Sequence, residues 1–112
     1  MTLLEQFVDC MQRGDNVGLA DLFDDYGVLH DSSLIKIGQD TMHLEGKMAV
    51  EMMFHHKFGF NGGPFPIFSP QYQSERNVWY MITYKDQVVP VSVDLSAVTP
   101  EGKIKRINIY PL

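Results

Sequence analysis

The stretch "QVVPVSVDLS", residues 87–96, decides how the rest of the chain is read. A strand turns successive side chains to opposite faces. Val89, Val91, Val93 and Leu95 therefore share one face, and Val88, Pro90, Ser92 and Asp94 share the other. The first face is uniformly aliphatic and has to be covered by something. Either the helices of the same chain cover it and Asp94 faces water, or the helices cover the mixed face and the valines point outward. An outward apolar face of that kind is seldom left bare unless another subunit buries it. The second arrangement is the expectation taken here: a homodimer formed sheet to sheet through Val89, Val91 and Val93. Pro90 removes a ladder donor, so the strand is expected to be bulged there or to lie at an edge.

Strands continue on either side of this one. Ile67 to Gln73 and Asn77 to Tyr84 precede it, and Lys85-Asp86 makes the tight turn into it. "TPEG" (99–102) then turns the chain into a last strand, Lys103 to Tyr110. The first half is largely helical. Thr2 and Glu5 form a capping box, followed by Leu3, Leu4, Phe7, Val8 and Met11 at helical spacing, with Gly14 as the stop. Asp15 or Asn16 caps a short second helix carrying Leu19, Ala20, Leu22 and Phe23. "YGVLHD" reads as a strand, and "SSLIKIGQDTMHLEG" as a small hairpin, Leu34 to Ile37 and Thr41 to Leu44. "GKMAVEMMFHHKF" is a third helix, and "GFNGGPFP" a loop able to act as a flap. Helices followed by long antiparallel strands give an α+β layout, with helices laid on one face of a curved sheet and room for a pocket between the layers.

The totals agree with a single domain over residues 1–112. A net charge of −5 and scattered Lys and Arg argue against a nucleic acid or an anionic membrane as partner. The opening residues carry acids within their apolar pattern, unlike a signal peptide or a membrane span, and a soluble cytoplasmic protein is expected. The single cysteine, Cys10, sits in the helical pattern and reads as a buried thiol. His55 and His56 are adjacent on a helix, and no HxH or HxxxH spacing joins any two of the four histidines, so no metal site is expected.

"FVDCMQRGDNVGLADLFDDYGVLHD", "LEGKMAVEMMF", "VPVSVDL" and "EGKIKRINIY" together resemble the NTF2-like superfamily, in its SnoaL-like and ketosteroid-isomerase-like branch. The resemblance covers nearly the whole chain. It implies three helices packed on a strongly curved mixed or antiparallel sheet, cone-shaped with an internal pocket, a cystatin-like α+β barrel. The superfamily includes isomerases, cyclases, dehydratases and non-catalytic binding or assembly domains, so the fold alone does not choose among them.

Counted from Gly14-Asp15, Asp31 falls where ketosteroid isomerases keep a proton-shuttling aspartate. Counted back from Gly102-Lys103, Asp94 falls where they keep a protonated oxyanion-hole aspartic acid. The resemblance thus makes Asp31 and Asp94 the candidate catalytic pair. A carboxylate serves best as a base when partial burial lifts its pKa, while the plainer role for Asp31 is to cap Ser33 after the strand. The family's phenols are missing, because their positions fall on Phe7 and Phe54. A pocket lined by Phe7, Met11, Phe54, Phe58, Trp79 and Ile107 is expected to hold a small apolar molecule without any cofactor. Two functions stay open: an isomerase, cyclase or dehydratase using Asp31 as general base, and a non-catalytic ligand-binding or protein-assembly module.

Overall fold

The computed structural model describes residues 1–60 and 66–112. Among these residues three α-helices precede most of the sheet: α1 (Leu3–Arg13), α2 (Asn16–Asp21) and α3 (Lys47–Phe60). The strands are β1 (Phe23–Asp31), β2 (Met42–Glu45), β3 (Phe68–Ser74), β4 (Asn77–Tyr84), β5 (Gln87–Val98) and β6 (Ile104–Pro111). They form one six-stranded sheet in the order β2-β1-β6-β5-β4-β3. Only β1 and β6 run parallel, and every other neighbouring pair is antiparallel. The expected α+β architecture is therefore present, with the sheet open at β2 and β3.

The capping box forms as read. Thr2 Oγ1 accepts from the Glu5 N–H at 3.1 Å, and Glu5 Oε1 accepts from the Thr2 N–H at 2.8 Å. At the other end Gly14 takes the left-handed conformation, φ 70°, that releases the chain from the helix. Asp15 caps α2 through the Gly18 N–H. Phe23, read as helical, instead opens β1, where it is buried in the core. At Gly27 an added Cβ would lie 2.5 Å from the Ile104 carbonyl, so the strands approach too closely for any side chain there. The β1–β6 register shifts in this same segment, which bends the sheet.

The small hairpin is replaced by something else. Ile35–Ile37 is a single 3₁₀ turn closed by Gly38, and β2 pairs with β1 rather than with its own neighbour. Asp31 to Val28 on β1 offer a longer partner than three residues beside a turn. Pro90 carries no bulge either: β4 and β5 pair without a register shift from Asn77 to Tyr84. The Pro90 carbonyl accepts from the Leu112 N–H at 3.1 Å, so its nitrogen also faces the β6 side, where β6 is ending. The irregularities of β5 lie against β6 instead, at Ser96 between the Leu95–Ile107 and Ala97–Arg106 pairs and again between Ala97–Arg106 and Val98–Ile104.

The helices cover the valine face of β5. Val91 and Val93 are fully buried, Val89 and Leu95 nearly so, in one core with Leu4, Phe7, Val8 and Met11 of α1 and Val50 and Phe54 of α3. Full burial of each such side chain contributes about 1.5–3 kcal/mol, which is why the chain spends its most apolar strand face internally. The expected interface through Val89, Val91 and Val93 is thus corrected: those side chains are not on the surface. "GFNGGPFP" begins inside α3 at Gly59-Phe60 and ends at Pro66; residues 61–65 of it lie outside the described residues.

A candidate proton-transfer pocket

A cavity of about 460 Å³ opens at the end of the sheet where β1 and β6 finish and β5 begins. Apolar walls come from Met11 of α1, Met42 of β2, Val91 of β5 and Ile109 of β6. Its polar groups are Asp31, Ser33, Gln39, Asp40 and Tyr80, with Lys57, Thr83, Tyr84 and Lys85 also on the lining. The pocket therefore sets polar and charged groups beside an apolar wall, concave enough to hold a small molecule.

Asp31 closes β1, with its Cα paired to Met42 on one side and Ile109 on the other. Both of those neighbours line the cavity, so register alone brings Asp31 to it. Its Oδ1 accepts from the Ser33 N–H at 2.8 Å and from the Ser33 hydroxyl. The capping role and the pocket role are consequently divided between two oxygens. Oδ1 holds the turn, while Oδ2 has no hydrogen-bond partner among the described residues. Ser33 is itself buried, which keeps the carboxylate in one orientation.

Tyr80 is the residue that sequence reasoning underrated. It comes from β4, pairs with Val91, and is 4% exposed, with its ring in the core beside the cavity. No described residue hydrogen-bonds its hydroxyl, and no fully buried polar side-chain atom among the described residues lacks a partner. The oxygen therefore meets the cavity. Burial first, and the negative charge of Asp31 second, push its pKa far above the ordinary tyrosine range. Tyr80 is thus a phenol that stays protonated and can donate. The available signal was alternation along "NVWYMITY": Val78, Tyr80 and Ile82 share the face that must look toward the helices once the valines of β5 do.

Asp94 does not join this site. It alternates with the buried Val93 and Leu95, so it projects from the opposite face of the sheet. There it accepts from Asn77 Nδ2 at 2.9 Å and from the Tyr110 hydroxyl at 3.3 Å. The Asp31–Asp94 pair is corrected on that ground. Of the six residues expected to line the pocket, only Met11 does. Phe7, Phe54 and Ile107 are fully buried in the core, Phe58 packs on Phe54 with ring centroids 5.4 Å apart, and Trp79 is 40% exposed on the outer face. No group of three His, Cys, Asp or Glu side chains suited to a metal occurs among the described residues.

No protein-family model matches the chain, and no curated protein does. Solved structures do match. A hypothetical protein with a ketosteroid isomerase-like fold from Catenulispora acidiphila, in complex with trimethylamine, has a TM-score of 0.66 at 14% identity, over 96% of this chain and 83% of that one. A SnoaL-like protein of unknown function from Burkholderia thailandensis has a TM-score of 0.63 at 11% identity, over 97% and 91%. The epoxide hydrolase/cyclase-like enzyme SalBIII, of pyran ring formation in salinomycin, has a TM-score of 0.60 at 14% identity, over 98% and 88%. The fold is accordingly that of the NTF2-like, SnoaL-like and ketosteroid isomerase-like proteins. At these identities the likeness is one of fold. Among the described residues no helix is long and apolar enough to cross a membrane.

Proposed function

We propose that the chain binds a small, largely apolar carbonyl compound in this cavity and moves a proton on it. Asp31 Oδ2 takes the proton from carbon, and the Tyr80 hydroxyl donates to the oxygen on which negative charge develops. The observation that carries this reading is the meeting of a carboxylate oxygen and a protonated, unpaired phenol on one cavity. The phenol differs in origin from the one lost at Phe7, since it enters from the sheet and not from α1. A general base and a hydrogen-bond donor suffice for enolisation, so isomerisation or elimination needs no cofactor here.

A second reading has its own support. Asp31 is held by both polar groups of Ser33, which suits a structural turn as well as a base. The chain would then bind its ligand without chemistry. Exchange of the α-hydrogens of 2-tetralone for deuterium, followed by proton NMR, separates the two. Proton transfer predicts exchange above the buffer rate, abolished in Asp31→Asn and slowed about a hundred- to a thousand-fold in Tyr80→Phe. Shifts of the Met11 and Val91 methyl signals on adding the ketone, with exchange no faster than in Asp31→Asn, would sink the catalytic reading and leave the binding one.

A further inference from the structure

On the outer face of the sheet, β1 and β2 bring together two histidines that the sequence holds 13 residues apart. His30 and His43 are directly paired across the strands. Their Nδ1 atoms are 2.9 Å apart, and the rings meet at 68°. On the far side of the second ring, His43 Nε2 lies 3.1 Å from Glu45 Oε1. A carboxylate can only accept, so His43 Nε2 carries a hydrogen toward Glu45, and between the two Nδ1 atoms one nitrogen donates and the other accepts.

We propose that His30 and His43 form a surface site for a divalent transition-metal ion, with both Nδ1 atoms as ligands and Glu45 as the group that orients His43. Imidazole nitrogens bind such ions at about 2.0–2.1 Å, so two at right angles lie about 2.9 Å apart and two at the tetrahedral angle about 3.3 Å apart. The observed 2.9 Å is a hydrogen-bond length close to both spacings, and of the divalent first-row ions Cu²⁺ is the one that such nitrogen sites bind most tightly. The ion takes the place of the hydrogen held between the two nitrogens; the ring that gives up its Nδ1 hydrogen takes one from solvent at Nε2, so that both imidazoles bind as neutral ligands. Glu45 supplies the carboxylate–histidine arrangement that fixes the tautomer at metal sites. The His43 ring is 41% exposed and the Glu45 side chain 76%, so an ion reaches the pair from solvent. Two side-chain ligands leave the remaining positions to water, in keeping with the lack of any three-ligand group among the described residues. No HxH or HxxxH spacing joins the two along the chain; strand pairing brings them together instead.

The experiment is titration of the full chain, without a histidine tag, with CuCl₂ followed by calorimetry and electron paramagnetic resonance. One Cu²⁺ is expected per chain, with hyperfine coupling to two imidazole nitrogens. His30→Asn and His43→Asn should each weaken binding more than tenfold, and Glu45→Gln about tenfold. His55→Asn with His56→Asn should leave it unchanged. The spectrum of the unaltered protein needs no variant to fold, so coupling to fewer than two nitrogens overturns the proposal by itself. So does an affinity that is unmoved in His43→Asn or lost with His55 and His56, which would leave the pair as a shared-proton contact alone.

Discussion

Asp94 is in register with His30, through Asn108 on β6, and so stands one residue out of step with Asp31. In a sheet one residue of register is one change of face. A count along the chain from the last turn reached the right strand and the right neighbourhood, but the wrong side. Asp94→Asn is therefore expected to leave ketone shifts and exchange in the cavity unchanged. It should lower stability by about 1 kcal/mol, the scale of one weakened hydrogen bond, because Asn77 and Tyr110 both donate to that carboxylate. Urea unfolding alongside ligand NMR checks this, and a cavity response equal to that of Asp31→Asn would refute the assignment of faces.

The Tyr80 phenol has a pH signature. Its folded pKa is raised, by burial first and by Asp31 second, while an unfolded tyrosine ionises near about 10. A raised folded value means that the native state holds the proton more tightly. Its contribution to stability is then complete below about pH 10 and is lost as the pH climbs above it. Denaturation midpoints should fall in alkali, and Tyr80→Phe should flatten that fall. Equal alkaline slopes for the two proteins would contradict the buried, protonated phenol.

A charge on the valine face of β5 tests which side of the sheet is core. Val91 and Val93 are fully buried, so an aspartate at either place would be an unpaired charge in an apolar interior. That costs more than about 3 kcal/mol. Val91→Asp should accordingly lose its fold, seen as loss of near-ultraviolet circular dichroism. A folded Val91→Asp protein that merely sediments differently would revive the outward-facing valines.

The parts of this fold that sequence made legible are those set by local chemistry. The Thr2–Glu5 box, the Gly14 stop, the Lys85-Asp86 turn and the β4 limits depend on residues within a few positions of one another. What remained hidden depended on partners far along the chain. Residues 42–45 became a strand because β1 was there to pair with, and 35–37 a 3₁₀ turn because it was not needed. The choice of face for β5 was undecidable from its own alternation, since both faces carry apolar residues. Asp31 was brought forward by a short count past Gly14-Asp15, and strand register sets it on the cavity. Tyr80 was passed over for Trp79, its neighbour on the other face, because the alternation of β4 does not say which face is core.

The capping box itself makes a prediction at the acid end. Glu5 has its pKa lowered, mainly by the backbone hydrogen bond from Thr2 and next by the Thr2 side chain. A lowered folded value gives stability that is present above the unfolded carboxyl value of about 4.3 and disappears as the pH drops through the folded one. Thr2→Ala should cost about 1 kcal/mol near neutrality and also soften the acid slope. Thermal melts at neutral and acid pH would show both effects, and an unchanged acid slope would mean that Glu5 is not tied to Thr2 in solution.

Restoring the phenol that the resemblance calls for, by Phe7→Tyr, should not restore anything. Phe7 is fully buried and does not line the cavity. A hydroxyl added there meets packed core instead of substrate, and an unsatisfied buried polar group costs about 1–3 kcal/mol. The variant is therefore expected to unfold at lower urea while its ketone exchange stays at the level of the unaltered protein. Moving the phenol at Tyr80 has the opposite profile, since Tyr80→Phe removes the donor with its ring left in place. If Phe7→Tyr instead accelerated exchange, the first helix would border the reacting group, and the donor role given to the sheet would have to be withdrawn.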